Sequence, residues 1–229
     1  MRRIVKKQSV NANSSNHYEG LSLIEMVITL LIVSMVLIVT SATLAALIRA
    51  SAIASAKTMS RSESEFLLEL LEKSIMNSQS ELIVLYKSNR QLTSDGFITS
   101  DPTIERIQFN GNRMANEIHY RPVRSSDWVC LALVKGGSGT GSEGQGYIVK
   151  GYSSTQTENC LESGQVIILN SDEIDVLVFD IYGYTTSLGN YSFVIDLTVR
   201  PIYWIPGRQS VIRPEYARQL VVSTRRLIY

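Results

Sequence analysis

Residues 19–31 read Glu19-Gly20-Leu21-Ser22-Leu23-Ile24-Glu25-Met26-Val27-Ile28-Thr29-Leu30-Leu31, and from Met26 to Ile48 there is neither a charge nor a proline. A helix that crosses a bilayer needs roughly 20 apolar residues. Leu21–Ile48 supplies 28, interrupted only by Glu25 and several Ser and Thr. Arg2, Arg3, Lys6 and Lys7 precede it, against Glu19 alone, and this flank predicts a cytoplasmic amino end with the body outside. The single Arg49 beyond the run does not outweigh four. A basic stretch before an apolar run also describes a secretory signal peptide, but this run is about twice the usual h-region. The sequence after it carries on as a helix.

The 229 residues carry a net charge of +1, of which residues 1–20 hold +3, leaving −2 for the rest. A nearly neutral body argues against a nucleic-acid partner, which selects a basic excess. His119 is the only histidine outside the leader, where His17 lies. That removes most His-dependent catalysis and any His-rich metal site. No Cys-x-x-Cys, His-Glu-x-x-His, Walker loop or dinucleotide fingerprint occurs, so no cofactor, resident metal or small-molecule substrate is expected.

Beyond Arg49 the sequence turns amphipathic. Ala52, Met59 and Phe66 lie seven apart, and Phe66, Leu67, Leu70, Leu71 and Ile75 follow spacings of three and four. Glu69 and Lys73 form a favourable pair four apart. With no Gly or Pro between Leu21 and Lys87, one helix is predicted from about Leu23 to about Asn77. At 1.5 Å per residue it spans roughly 80 Å, half apolar enough for a membrane and half suited to packing on the body.

The remainder reads as strands: Glu81–Tyr86, Ile104–Phe109, Glu117–Pro122, Trp128–Val134, Tyr147–Tyr152, Val166–Leu169, Val176–Tyr182, Tyr191–Val199 and Leu220–Leu227. Alternation is clearest where Phe193, Ile195, Leu197 and Val199 share a face. Turn residues separate them at Asn110-Gly111-Asn112 and Leu188-Gly189-Asn190. The expected class is α+β, one helix face across a mainly antiparallel sheet. Domain bounds are 1–20 for a leader, 21–48 and 49–78 for the two halves of the helix, and 79–229 for the β-rich body.

Cys130 and Cys160 are the only cysteines. With the body outside the cytoplasm a disulfide persists, and closing a loop of about 30 residues stabilises by roughly 3–4 kcal/mol in the chain-entropy treatment. Two buried thiols are the alternative. The glycine-rich run 136–146 reads as an exposed loop, and Trp204-Ile205-Pro206-Gly207-Arg208 as a turn between the last two strands. Asp172, Glu173 and Asp175 lack the spacing of a calcium loop and read as a solvated acidic turn. No role is assigned to the eleven tyrosines.

Glu25 is the anomaly in the apolar run. An acid there costs about 2.5–3.5 kcal/mol at mid-bilayer and less near the interface, so it is either wet or paired. Its neighbours bear on the choice. Gly20 ends a basic leader, Leu21 follows, Glu25 is fifth after the glycine, and a long apolar run continues. This arrangement resembles the processing site of type IV prepilins and pseudopilins. Leu21 stands where phenylalanine is commoner, and the leader is longer than the family's shortest. The resemblance covers about thirty residues. It implies cleavage between Gly20 and Leu21 by a membrane-embedded prepilin peptidase, and N-methylation of Leu21. It also implies that Glu25 faces the amine of a neighbouring subunit and sets filament register.

The expected function is therefore that of a structural minor pilin without enzymatic activity, acting in pilus assembly or priming near the tip. Its partners would be the inner membrane, sibling minor subunits and the major subunit. It would be a single-pass inner-membrane protein before assembly and part of the filament afterwards. The body and residues 60–75 also resemble PilW-like minor pilins and J-type minor pseudopilins, so a type II secretion pseudopilus is the alternative. A tip adhesin or DNA-uptake module is a further one, and a membrane-anchored periplasmic enzyme is disfavoured because no nucleophile–base pair is apparent around His119.

Overall fold

The computed structural model describes residues 22–137, 144–155, 158–186, 190–202 and 214–224. The leader, Gly20 and Leu21, the centre of the glycine-rich loop, most of the Leu188-Gly189-Asn190 turn, the Trp204–Arg208 segment and residues 225–227 of the expected last strand lie outside them. The chain divides into two compact units after Ile48.

One helix, α1, runs Leu23–Met76. Ser22 caps it: the amides of Glu25 and Met26 bond the Ser22 carbonyl at 3.0 and 3.1 Å, and the Glu25 amide also reaches the Ser22 hydroxyl at 3.3 Å. Every residue of Leu23–Ile48 is exposed. Its hydroxyls turn back onto the helix, Thr29 to the Met26 carbonyl, Ser34 to Leu31, Thr40 to Val36, Ser41 to Ile38 and Thr43 to Thr40. They therefore need no outside partner, and the segment is long and apolar enough to cross a membrane.

In the second unit the helix buries Ser60, Ser64, Leu67, Leu68, Leu71 and Ile75. This corrects the expected face. Ala52 and Phe66 point outward, Phe66 being 52% exposed. The heptad line was misleading because two serines occupy the buried stripe. Their hydroxyls are satisfied within the helix by the Ala56 and Arg61 carbonyls at 3.0 and 2.9 Å.

Ten strands follow among the described residues: β1 Ser78–Lys87, β2 Gln91–Leu92, β3 Glu105–Ile107, β4 Glu117–Pro122, β5 Trp128–Gly136, β6 Gly146–Ser153, β7 Ile167–Ile168, β8 Ile174–Thr185, β9 Tyr191–Pro201 and β10 Tyr216–Ser223. A 3₁₀ turn covers Cys160–Glu162. The class is α+β as expected, but the strands form two sheets, not one. The larger runs β3-β1-β4-β5-β6-β7, and the smaller is the meander β10-β9-β8. All pairings are antiparallel except β2 on β5, where Gln91 and Leu92 lie beside Lys135 and Gly136.

Leu67, Leu71 and Ile75 of the helix share one core with Ile83, Ile118 and Leu131 of the larger sheet and Phe179, Phe193 and Leu197 of the smaller. On the other face of the larger sheet, Trp128, Cys130, Ala132 and Val134 pack with Tyr147, Val149, Cys160, Leu161, Leu92 and Ile98. At Gly183 an added Cβ would meet Phe109 at 2.3 Å, so only glycine admits that ring. Arg218 on β10, the end strand of its sheet, bonds Glu65 of the helix at 3.0 Å.

Leu71→Ala is expected to cost about 2–5 kcal/mol in denaturant unfolding, and Phe66→Ala about 0.5 kcal/mol or less. The reverse order would put Phe66, not Leu71, in the core.

Candidate functional site

Glu25 lies in the first turn of α1. With Ser22 it forms the pair Ser-x-x-Glu of a capping box, and its carboxylate sits where the helix dipole favours negative charge. The sequence already carried this signal, and the electrostatic preference reduces the cost of an acid so close to the apolar run.

The second site is buried in the body. Residues two apart on a strand share a face, and Glu117 and His119 on β4 do so: Glu117 Oε1 lies 2.6 Å from His119 Nε2. Arg90, in the connection from β1 to β2, has a fully buried side chain. Its Nε donates to Glu117 Oε2 at 3.2 Å, its Nη1 to Glu162, and its Nη2 to the Glu158 carbonyl at 2.6 Å. The approach to Arg90 is itself held. Ser88 and Asn116 exchange two hydrogen bonds, and the Asn89 amide donates to Asp101 at 2.6 Å.

Burial alone would raise the Glu117 carboxyl. The hydrogen bond and field of His119, with the Arg90 guanidinium, reverse this and hold it below the ordinary glutamate value. The Tyr86 ring lies 4.7 Å from the imidazole, centroid to centroid.

The disulfide joins this cluster. Cys130 and Cys160 are bridged, with Cα atoms 6.3 Å apart. Cys130 stands directly across from His119 in the β4–β5 register. A ring nitrogen of His119 and the two sulfurs all lie within 4.8 Å of one another. His119 therefore lies close to both a carboxylate and cysteine sulfur, an arrangement that takes the fold to assemble. The Glu117-x-His119 alternation was its visible part. Arg90 and the cross-strand cysteine required the fold. With both thiols oxidised, the cluster holds the connection through Arg90, the strand β4 and the 3₁₀ turn together, and offers no free nucleophile.

The acidic turn separates. Asp175 is buried, contrary to expectation: its Oδ1 accepts from the Gly146 amide at 2.7 Å and its Oδ2 from Arg200 at 2.8 Å, so it ties β8 to β6 and β9. Another carboxylate pair lies on the smaller sheet, where Asp180 stands directly opposite Asp196. Burial, then the Asp196 charge, pushes the Asp180 carboxyl up.

Two opposite pH responses follow. Glu117, depressed in the native state, contributes stability that is complete above the ordinary glutamate range and is lost as pH falls through its native value. Asp180, raised, costs stability at neutral pH, and that cost disappears as pH falls and it takes up a proton. Asp180→Asn is accordingly expected to stabilise by roughly 0.2–1 kcal/mol at pH 7, with the gain fading in acid. Arg90→Met should cost about 3–5 kcal/mol, because it strands a buried carboxylate. Unfolding midpoints across pH check both.

No protein-family model, curated protein or solved structure matches this chain.

Proposed function

We propose that the chain is a minor structural subunit of a type IV pilus, held in the inner membrane by Leu21–Ile48 and later polymerised through the same segment. The observation that supports this most is the character of Leu23–Ile48. It is an exposed apolar helix whose hydroxyls are satisfied internally, with Glu25 as its only ionisable group. In a plain anchor a carboxylate in that position serves only the helix end, whereas a polymer built from such helices also gives it a partner in the next subunit.

Cleavage after Gly20 would create an amine on Leu21, next to the positive end of the helix dipole. Both are positive, so the new terminus favours a nearby carboxylate. Glu25 of the same chain is close in sequence, and Glu25 of another chain becomes available in a filament. In lipid neither charge is left uncompensated when they pair across subunits. The same pairing fixes how far one subunit sits along the axis from the next. The body, with its disulfide and two-sheet core, would then be the part displayed to sibling subunits.

Gly20→Val is expected to abolish leader removal, seen as retention of residues 1–20 by mass. Glu25→Ala should be processed normally but fall several-fold in sheared filaments. Wild-type incorporation of the alanine variant would remove the pairing role. A mature chain beginning at Met1 or beyond Ile48 would remove the filament reading, and co-purified sibling subunits would identify whether a pilus or a secretion system holds the protein.

A further inference from the structure

We propose that His119, oriented by Glu117, is an internal base that promotes closure of the Cys130–Cys160 bond. In the bridged protein His119 Nδ1 is buried and has no hydrogen-bond partner among the described residues. An orphaned buried nitrogen is costly, and a use in another state of the protein would account for its being kept. Its place in the fold identifies that state. Nε2 is taken by Glu117 at 2.6 Å, Cys130 is the cross-strand neighbour of His119, and one ring nitrogen lies within 4.8 Å of both cysteine sulfurs, which leaves Nδ1 as the nitrogen free to meet them. When the bond is reduced, a thiol becomes available as the missing donor.

The tautomer follows from the carboxylate. Glu117 accepts from Nε2–H, which leaves the lone pair on Nδ1. Arg90 holds the other oxygen of Glu117, so the carboxylate cannot swing away. The groups that face the imidazole are Glu117 from its own strand, Tyr86 from β1, Cys130 from β5 and Cys160 from the 3₁₀ turn. Arg90 and Glu162 act on it through Glu117.

In the reduced chain the Cys130 proton passes to Nδ1, giving a thiolate beside an imidazolium that the Glu117 carboxylate stabilises. Both sulfurs are buried once the bond is closed, so the exchange takes place before Cys160 packs against β5, when the thiolate attacks one sulfur of a small-molecule disulfide. That S–S bond breaks, one half departs as a thiolate and takes up a proton, and the other half stays on Cys130. Cys160 loses its proton and attacks Cys130 Sγ, expelling the second half. Two protein thiols are oxidised and the small disulfide is reduced to two thiols. In this step His119 takes the proton from the reacting thiol and is the catalytic residue. Glu117 is a positioning residue that acts through it.

The step concerns folding of the body and does not rest on the filament reading. Full-length protein in detergent micelles is reduced with dithiothreitol, desalted and reoxidised with oxidised glutathione between pH 5.5 and 9, and closure is read by mass after alkylation. Near pH 6 few ordinary thiols are ionised, so wild type should close at least about tenfold faster than His119→Gln. The ratio should approach one near pH 9, with Glu117→Gln between the two. Equal rates with the same pH slope would overturn the assignment.

A second measurement leaves His119 in place. In full-length Cys160→Ser, alkylation of Cys130 by iodoacetamide, normalised to its own rate at high pH, should persist at pH 6.5. A profile that rises only in the ordinary thiol range, about pH 8.5, would equally overturn it.

Discussion

A strand that is apolar on both faces must be covered twice, and β5 sets this requirement for the body. Its residues alternate between two cores. Val129 and Leu131 face the helix and the smaller sheet, while Trp128, Cys130, Ala132 and Val134 face the opposite side. The unbroken apolar run of β5 is what a doubly buried strand requires. One cover is provided by α1 together with β8 and β9. The other cannot be a second helix, because none exists among the described residues. It is assembled from short pieces: Leu92, Ile98, Cys160 and Leu161.

Short pieces carry little cohesion of their own, since each buries a few side chains at the full entropic cost of ordering its backbone. Fixed links replace extended pairing on this side. The disulfide fastens Cys160 to β5, and Arg90 joins its own connection to β4 and to Glu162 in one buried fork. β2 completes the edge of β5 beyond the reach of β4, which pairs only as far as Ala132. The region therefore depends on covalent and ionic ties where the helix side depends on area. That division explains why charge is concentrated so deeply in a protein with fewer charged residues than average.

The sequence was most readable where a period was long. The helix was predicted to within a residue of its ends, and β4 is where expected, because 54 residues without Gly or Pro and a strict alternation leave little choice. β2 was missed because two residues have no period. The division into two sheets was not visible, since β8 and β9 pair locally while β1 reaches β4 across the chain. The helix face was misjudged at Phe66 because a rule that seeks large apolar residues passes over Ser60 and Ser64. At the buried cluster, Glu117 and His119 were legible as neighbours, but their contact with Arg90 and Cys130 is long-range and followed from no local pattern. The disulfide was inferred from compartment and cysteine number, and the structure contains it.

The salt link between Arg218 and Glu65 occurs on β10, whose outer edge has no neighbouring strand among the described residues. An open edge is a template for another chain. Arg218 and the polar Gln219 interrupt what would otherwise be a continuous sticky border, and large charged side chains at such edges discourage sheet-to-sheet fusion. The ion pair thereby holds a charge at the one border of this sheet where β10 could accept a foreign strand.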